Sequence, residues 1–221
     1  MWDKEMTDMI IAGIGETLYM TLVSAFLGYV FGLPMGVILT VSDKGGVRPN
    51  AGLYKVFDFI TNVFRSIPFL ILLILIQPMT KAIVGRSTGN AAMIVPLTVA
   101  AAPYIARIVE SSLKEVDHGV IEAAQSMGAS TWEIVWKVLL KEARTSLIVN
   151  AAIVTGTILG YSAMAGTIGA GGLGKIAIQY GYYRYETGIM IVTVVILVLL
   201  VQLMQGIGMM LSRKLDRRRS S

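Results

Sequence analysis

The sequence predicts an all-α polytopic integral membrane protein with five transmembrane helices, and three observations carry that prediction. Of 221 residues, 55% are hydrophobic and only 15% charged, against about a quarter charged in soluble domains. Five long stretches hold no Asp, Glu, Lys, Arg or His: residues 17–41, 66–78, 87–106, 145–174 and 187–212. The basic residues, finally, are gathered in alternate connections rather than spread evenly.

A helix needs about 20 apolar residues to cross about 30 Å of hydrocarbon, and four of the five runs meet this directly. The second is short and must extend back through 57–65, which puts Asp58 and Arg65 near one membrane face or inside the bundle. The expected spans are therefore 17–41, 57–80, 87–112, 145–168 and 187–212, within a transmembrane domain over 13–212. An extracytoplasmic N-terminus at 1–12 precedes it and a basic tail at 213–221 follows. Asp3, Glu5 and Asp8 stand where a signal peptide has basic residues, and the first apolar run is too long for a signal core, so it is read as a retained first span.

Orientation follows from charge. The tail Arg213, Lys214, Arg217, Arg218 and Arg219 is the densest basic cluster and should be cytoplasmic. The segments that then face inward, around 42–56, 107–144 and 213–221, hold thirteen Lys and Arg; the outer ones hold five, namely Lys4, Lys81, Arg86, Lys175 and Arg184. The expected topology is N-out, C-in. Contact of the tail with anionic membrane lipid fits its charge, although topology anchoring alone explains it.

The glycine run 166–174 imitates a nucleotide-binding loop. Gly169, Gly171 and Gly174 satisfy G-x-G-x-x-G, and Gly169 to Lys175 nearly completes a phosphate loop, but Ile176 stands where a magnesium-binding hydroxyl belongs. The run falls at the outer end of span four, and no strand precedes it. It is read as a helix break or a close helix contact, with a moving part of an outer gate as the alternative. Pro34, Pro68, Pro78, Pro96 and Pro103 lie within or at the ends of spans, where proline is able to kink a helix.

Enzymatic readings fare poorly. The chain has no cysteine and one histidine, His118, so neither a thiolate metal site nor an intramembrane H-E-x-x-H centre is available. No metal ligands, catalytic constellation or nucleic-acid-binding pattern is evident. Asp58 and Glu110 are the only carboxylates placed to couple ions in a secondary transporter, and both sit near cytoplasmic ends.

The longest polar connection, 113–144, is expected in the cytoplasm and reads as helix, sharp turn, helix. Asp117 caps the first helix and Gly128 ends it in the left-handed conformation. Ser130 and Glu133 form a capping box for the second, and Trp132, Val135, Trp136 and Leu139 fall on one face. Glu122, Ala123 and Ala124 present a narrow ridge beside one carboxylate, suited to a groove on another protein.

These residues resemble a known family. Glu122, Ala123 and Ala124, three residues, Gly128, nine residues, then Val138, Leu139 and Leu140 are similar to the EAA loop of ABC-importer permeases, E-A-A-x3-G-x9-I-x-L-P. Val138 replaces isoleucine, and Lys141 stands where the pattern has proline, leaving the helix free to continue toward span four. Arg65 to Phe69, Gly160 to Gly166 followed by Gly169 to Gly174, and Gln179 to Tyr182 narrow the likeness to methionine-importer permeases over nearly the whole chain. The resemblance implies the type I ABC-importer fold in a prokaryotic cell membrane. It implies two copies of the chain, two cytoplasmic ATPase subunits carrying ATP and magnesium, and an extracytoplasmic methionine-binding protein, with no cofactor bound by this chain. It assigns Glu122, Ala123, Ala124 and Gly128 to ATPase docking; Ser130 and Trp132 of the same loop join them as docking candidates, and Pro68, Gly160, Ser162, Met164, Gly166, Gly169, Gly171 and Gly172 are candidates for gate or path. Another amino acid or small polar solute is the alternative cargo, and a secondary transporter or channel without ATPase partners the alternative class.

The charge asymmetry makes a direct prediction. A tag after Ser221 is expected to be cytoplasmic and one before Met1 external. Labelling both termini in intact cells checks this, and finding them on one side means that the spans are miscounted.

Overall fold

The computed structural model describes residues 4–215. The first helix, α1 (Lys4–Ser42), is 39 residues long and starts well before the expected span, taking in Glu16 and most of what was read as an extracytoplasmic N-terminus. Pro34 lies inside it without ending it. The amphipathic α2 (Ala51–Ser66) is opened by Asn50, whose side chain accepts from Leu53 N at 3.0 Å. Then the chain turns sharply through Ile67 and Pro68 into α3 (Phe69–Leu75), bent by 103° from α2.

Thus the expected span 57–80 is not one helix. Proline pushes the residue before it out of the helical region, and Ile67 is extended at φ −81°, ψ 123°. A third piece, α4 (Gln77–Val84), ends at Gly85, which has φ +80°. Pro96 and Pro103, by contrast, are buried inside α5 (Asn90–Lys114) and break nothing.

Beyond α5 come α6 (His118–Ser126), α7 (Thr131–Glu133), a wide π-helical stretch Ile134–Leu139, and α8 (Leu140–Glu142). The fourth span, α9 (Arg144–Ala165), runs into a tight turn Gly166–Ile168; α10 (Gly172–Ile176) and π turns over Ala177–Tyr182 follow, before α11 (Thr187–Leu215). All regular elements among the described residues are helical. Four helices are long and apolar enough to cross a membrane alone: α1, α5, α9 with its tight turn, and α11; the bent pair α2 and α3 makes a fifth if counted as one span. Of the basic tail, only Arg213 and Lys214 lie within the described part of α11, and 216–221 fall outside it.

The helix α5 is the centre of the bundle. Two thirds (67%) of its most apolar window is buried, against 11% for α11, so α5 is wrapped by the rest of the chain and α11 leaves most of its surface uncovered by it. Along α1 and α5 the backbones touch. A Cβ on Gly32 would stand 2.6 Å from Ala102 O, and one on Gly36 2.6 Å from Ala106 O. In lipid, apolar burial gives helices little reason to associate, and small residues that admit close contact supply the attraction instead. Polar bonds add to it: Asn150 Nδ2 and Ser146 Oγ on α9 donate to Ser112 Oγ on α5, at 2.8 and 3.1 Å.

Asp58 and Glu110, the two carboxylates weighed as ion-coupling groups, are both engaged by cations. Arg107 on α5 pairs with Asp58 on α2, with Glu110 at 2.8 Å, and donates to Asn62 Oδ1 at 2.9 Å. Lys114 bridges Glu110 at 2.8 Å and Asp43 at 2.7 Å, and this contact and hydrogen bond with Lys114 hold the Asp43 carboxyl below its ordinary range. The cluster ties the turn after α1 and the C-terminal part of α5 to α2.

The close contact is testable by overpacking. Gly32→Leu should lower the stability of the detergent-solubilised protein by on the order of 1–3 kcal/mol, seen as a lower midpoint of thermal unfolding. Gly15→Leu, at a position with nothing within 4 Å of the added carbon, serves as the control and should leave the midpoint unchanged.

Candidate functional site

The 113–144 connection is built as its sequence demands. Asp117 caps α6 by accepting from Gly119 N at 2.8 Å. Gly128 ends the turn at φ +79°, and Gly128 N donates to Gln125 O at 2.9 Å. The capping box is complete, with Ser130 Oγ accepting from Glu133 N at 3.3 Å and Glu133 accepting from Ser130 N at 3.1 Å. Hydrogen bonds from Lys137 first, and from Ser130 second, lower the Glu133 carboxyl to about 2. A depressed carboxyl stabilises the fold above its ordinary range and loses that contribution only as pH falls toward about 2. At neutral pH the box is therefore fully charged and closed.

Which side of the loop is free follows from helix type. The predicted stripe of Trp132, Val135, Trp136 and Leu139 divides in two. Over Ile134–Leu139 the turns are π-helical, so residues five apart share a face; Ile134 and Leu139 are both buried, and Val135 with them. Trp132 and Trp136 point outward, their rings edge to face at 5.4 Å. Lys141, in place of the motif's proline, lies in α8, and the helical course reaches Glu142 before it bends at Ala143 into α9.

The docking candidates divide likewise. Glu122, Ala123, Gly128, Ser130 and Trp132 are exposed, and the Glu122 carboxylate lies 3.1 Å from His118 Nδ1. Ala124 is not free: it is buried in this chain's own core with Ile134, Val135 and Leu139. A Cβ on Gly128 would have nothing within 4 Å, so inside this chain it is the positive φ, not crowding, that requires glycine there. The sequence did not mark Met127, beside Gly128, which is 81% exposed and extends the outward face.

The gate and path candidates are more scattered. Pro68 opens α3 at the bend, where Phe69 stacks on Tyr161 of α9 with ring centroids 4.6 Å apart. Gly160 and Met164 are exposed one turn apart on α9. Ser162 is buried against Thr21 of α1, and Gly166 is buried against the Lys175 backbone. Gly169 (φ +99°) and Gly172 (φ +81°) adopt left-handed backbone in the break between α9 and α10. Gly171 and Gly172 donate there to Asn90 Oδ1 and Glu16 Oε2, two side chains that sequence reading passed over because each sits at the edge of an apolar run. No strand precedes the run among the described residues, and the amides of a phosphate loop are here committed to protein side chains. No cluster of three or more potential metal ligands occurs among the described residues.

Comparison with known proteins agrees with this arrangement over nearly the full chain. A probable D-methionine transport system permease protein MetI of Vibrio cholerae serotype O1 is 46% identical over 217 residues, 98% of this chain and 96% of that protein. The D-methionine transport system permease protein MetI of Escherichia coli K12 is 52% identical over 158 residues, 72% of this chain and 73% of that protein. A solved inward-facing structure of the MetNI methionine ABC transporter superposes with a TM-score of 0.96 at 50% identity, covering 98% of this chain and 100% of that one. An amino acid ABC transporter crystallised with histidines shares the fold at TM-score 0.79 and 21% identity, over 95% of each chain. The family model for binding-protein-dependent transport system inner membrane components matches residues 12–217, and the chain belongs to that family.

Proposed function

We propose that the chain is the permease subunit of an ATP-driven methionine importer, working as a homodimer whose two copies form the translocation path. The observation that carries this reading is the full-length likeness to the solved methionine transporter at 50% identity and TM-score 0.96, alongside relatives named for D-methionine transport. The chain does no chemistry. ATP and magnesium belong to two cytoplasmic ATPase subunits, and an extracytoplasmic binding protein delivers the cargo.

Docking is assigned to the outward face of the 118–142 loop. Glu122, Ala123, Met127, Gly128, Ser130 and Trp132 are exposed around one sharp turn, while the opposite face is packed into the core of the spans. A force applied to the turn therefore reaches the bundle through the buried Ala124, Ile134, Val135 and Leu139. This suits rigid-body transmission of ATPase closure. Gly160 and Met164 are retained as path candidates on their exposure; Ser162, Gly166 and Gly172, being buried, act through packing.

Two measurements on the complex reconstituted in liposomes test the reading. Gly128→Val forces a β-branched residue to φ +79°, a strain of about 1–3 kcal/mol, and adds bulk to the docking turn. It should insert and dimerise normally while uptake of labelled methionine and cargo-stimulated ATP hydrolysis both fall at least about tenfold, the equivalent of about 1.4 kcal/mol. Glu122→Ala should act in the same direction and more weakly. Normal uptake by well-assembled Gly128→Val would remove the docking assignment, and saturable uptake by the permease without any ATPase would replace the importer reading with a secondary transporter or channel.

Nucleotide binding separates the two glycine features. The purified permease alone should bind no ATP, and Lys175→Ala should leave hydrolysis by the complex intact, as equilibrium binding and phosphate release will report.

A further inference from the structure

Three consecutive amides in the glycine break are held by side chains from other helices. Gly171 N donates to Asn90 Oδ1 at 2.7 Å, Gly172 N to Glu16 Oε2 at 2.6 Å, and Leu173 N to Thr17 Oγ1 at 2.9 Å. Thr17 is itself fixed, donating to Gly13 O at 2.8 Å, and Gly89 N donates to Gly169 O at 2.8 Å. A broken helix needs such partners where water is excluded, since its amides lose their own carbonyls. Here the break supplies none: its cap position is Gly171, which has no side chain.

The glycines are what let the partners in. A Cβ on Gly171 would collide with the Glu16 carboxylate and lie 2.7 Å from Asn90 Oδ1, and one on Gly172 would lie 2.6 Å from Thr17 Oγ1. Glu16 has no ion pair among the described residues; its carboxylate accepts from the Gly172 amide. A carboxylate in or beside a membrane span is costly to keep, and one retained there carries a function by default.

We propose that Glu16, supported by Thr17 and Asn90, is a positioning residue that clamps the glycine break to α1 and α5. The outer end of span four then moves with those two helices as one part when access alternates. This rests on the permease reading above. In this role Glu16 touches neither cargo nor nucleotide.

The chain has no cysteine, so one introduced thiol reports on the clamp without background. Ala170, in the break and 2% exposed, is the position to use. In Ala170→Cys complexes reconstituted with ATPase and binding protein, adding Glu16→Leu should raise the rate of N-ethylmaleimide labelling at least tenfold and lower uptake of labelled methionine at least fivefold. Glu16→Gln, whose amide oxygen still accepts from Gly172 N, should keep both within about threefold. Asn90→Ala should act like Glu16→Leu to a smaller extent, which covers the case of a variant that fails to assemble.

Unchanged labelling in Glu16→Leu overturns the clamp. Raised labelling with normal uptake overturns its positioning role, and Glu16→Gln behaving like Glu16→Leu overturns it in favour of a role for the charge. If the wild-type complex takes up no methionine at all, the importer reading falls, while the labelling contrast still decides the clamp.

Discussion

The contact between the backbones of α1 and α5 is the constraint on which the other parts of the molecule depend. Gly28, Gly32 and Gly36 recur every fourth residue along α1 and let Ala101, Ala102, Ile105 and Val109 of α5 come to within contact of its main chain. Three other features are referred to this pair. The helix α9 reaches it through Thr21 and Ser112, α2 through Arg107, and the glycine break through Glu16 and Asn90. Because association in lipid gains little from apolar burial itself, short-range packing and internal polar bonds must do the holding. The α1–α5 seam offers the first and its flanks offer the second.

The 113–144 loop belongs to this same body. Ala124, Ile134, Val135, Leu139 and Ala143 share one apolar cluster with Leu97, Ile105, Val109 and Leu113 of α5. The loop is thus two-faced: one side is continuous with the centre of the bundle, and the other carries exposed Met127, Trp132 and Trp136 beside the Glu122 carboxylate. On the proposed docking, the partner meets a preformed surface and no part of the loop has to fold on contact. Well-packed interiors do not deform continuously, so a push on such a surface is passed on as a shift of whole helices.

The spans α1, α5, α9 and α11 were legible because an ionisable-free run of sufficient length has few other uses, and the loop was legible because Asp117, Gly128, Ser130 and Glu133 act through their immediate neighbours. Local rules failed where the deciding partner is distant in sequence. The second span reads as continuous from its hydropathy, whereas Pro68 breaks it and Arg107, on another helix, holds the bent piece in place. Trp132 and Leu139 fit one α-helical face on paper, but π turns, which periodicity at 3.6 residues does not anticipate, send them to opposite sides. Glu16 lies just outside the first apolar run and carries no local signal; only its bond to an amide 156 positions away gives it a place.

The uneven burial of the spans bears on how such a chain is made. Membrane proteins enter the bilayer from the N-terminus onward, and α1 arrives with its glycine seam uncovered, since α5 follows only after α2, α3 and α4. During that interval the exposed main chain of α1 has lipid alone for company, a state its apolar side chains tolerate without the need for a chaperoning partner. Completion of α5 closes the seam and retires the exposed surface. By contrast α11, the last helix and the least covered of the spans, is held mainly by α9 and by the turns that follow α10, so it joins a centre that is already closed.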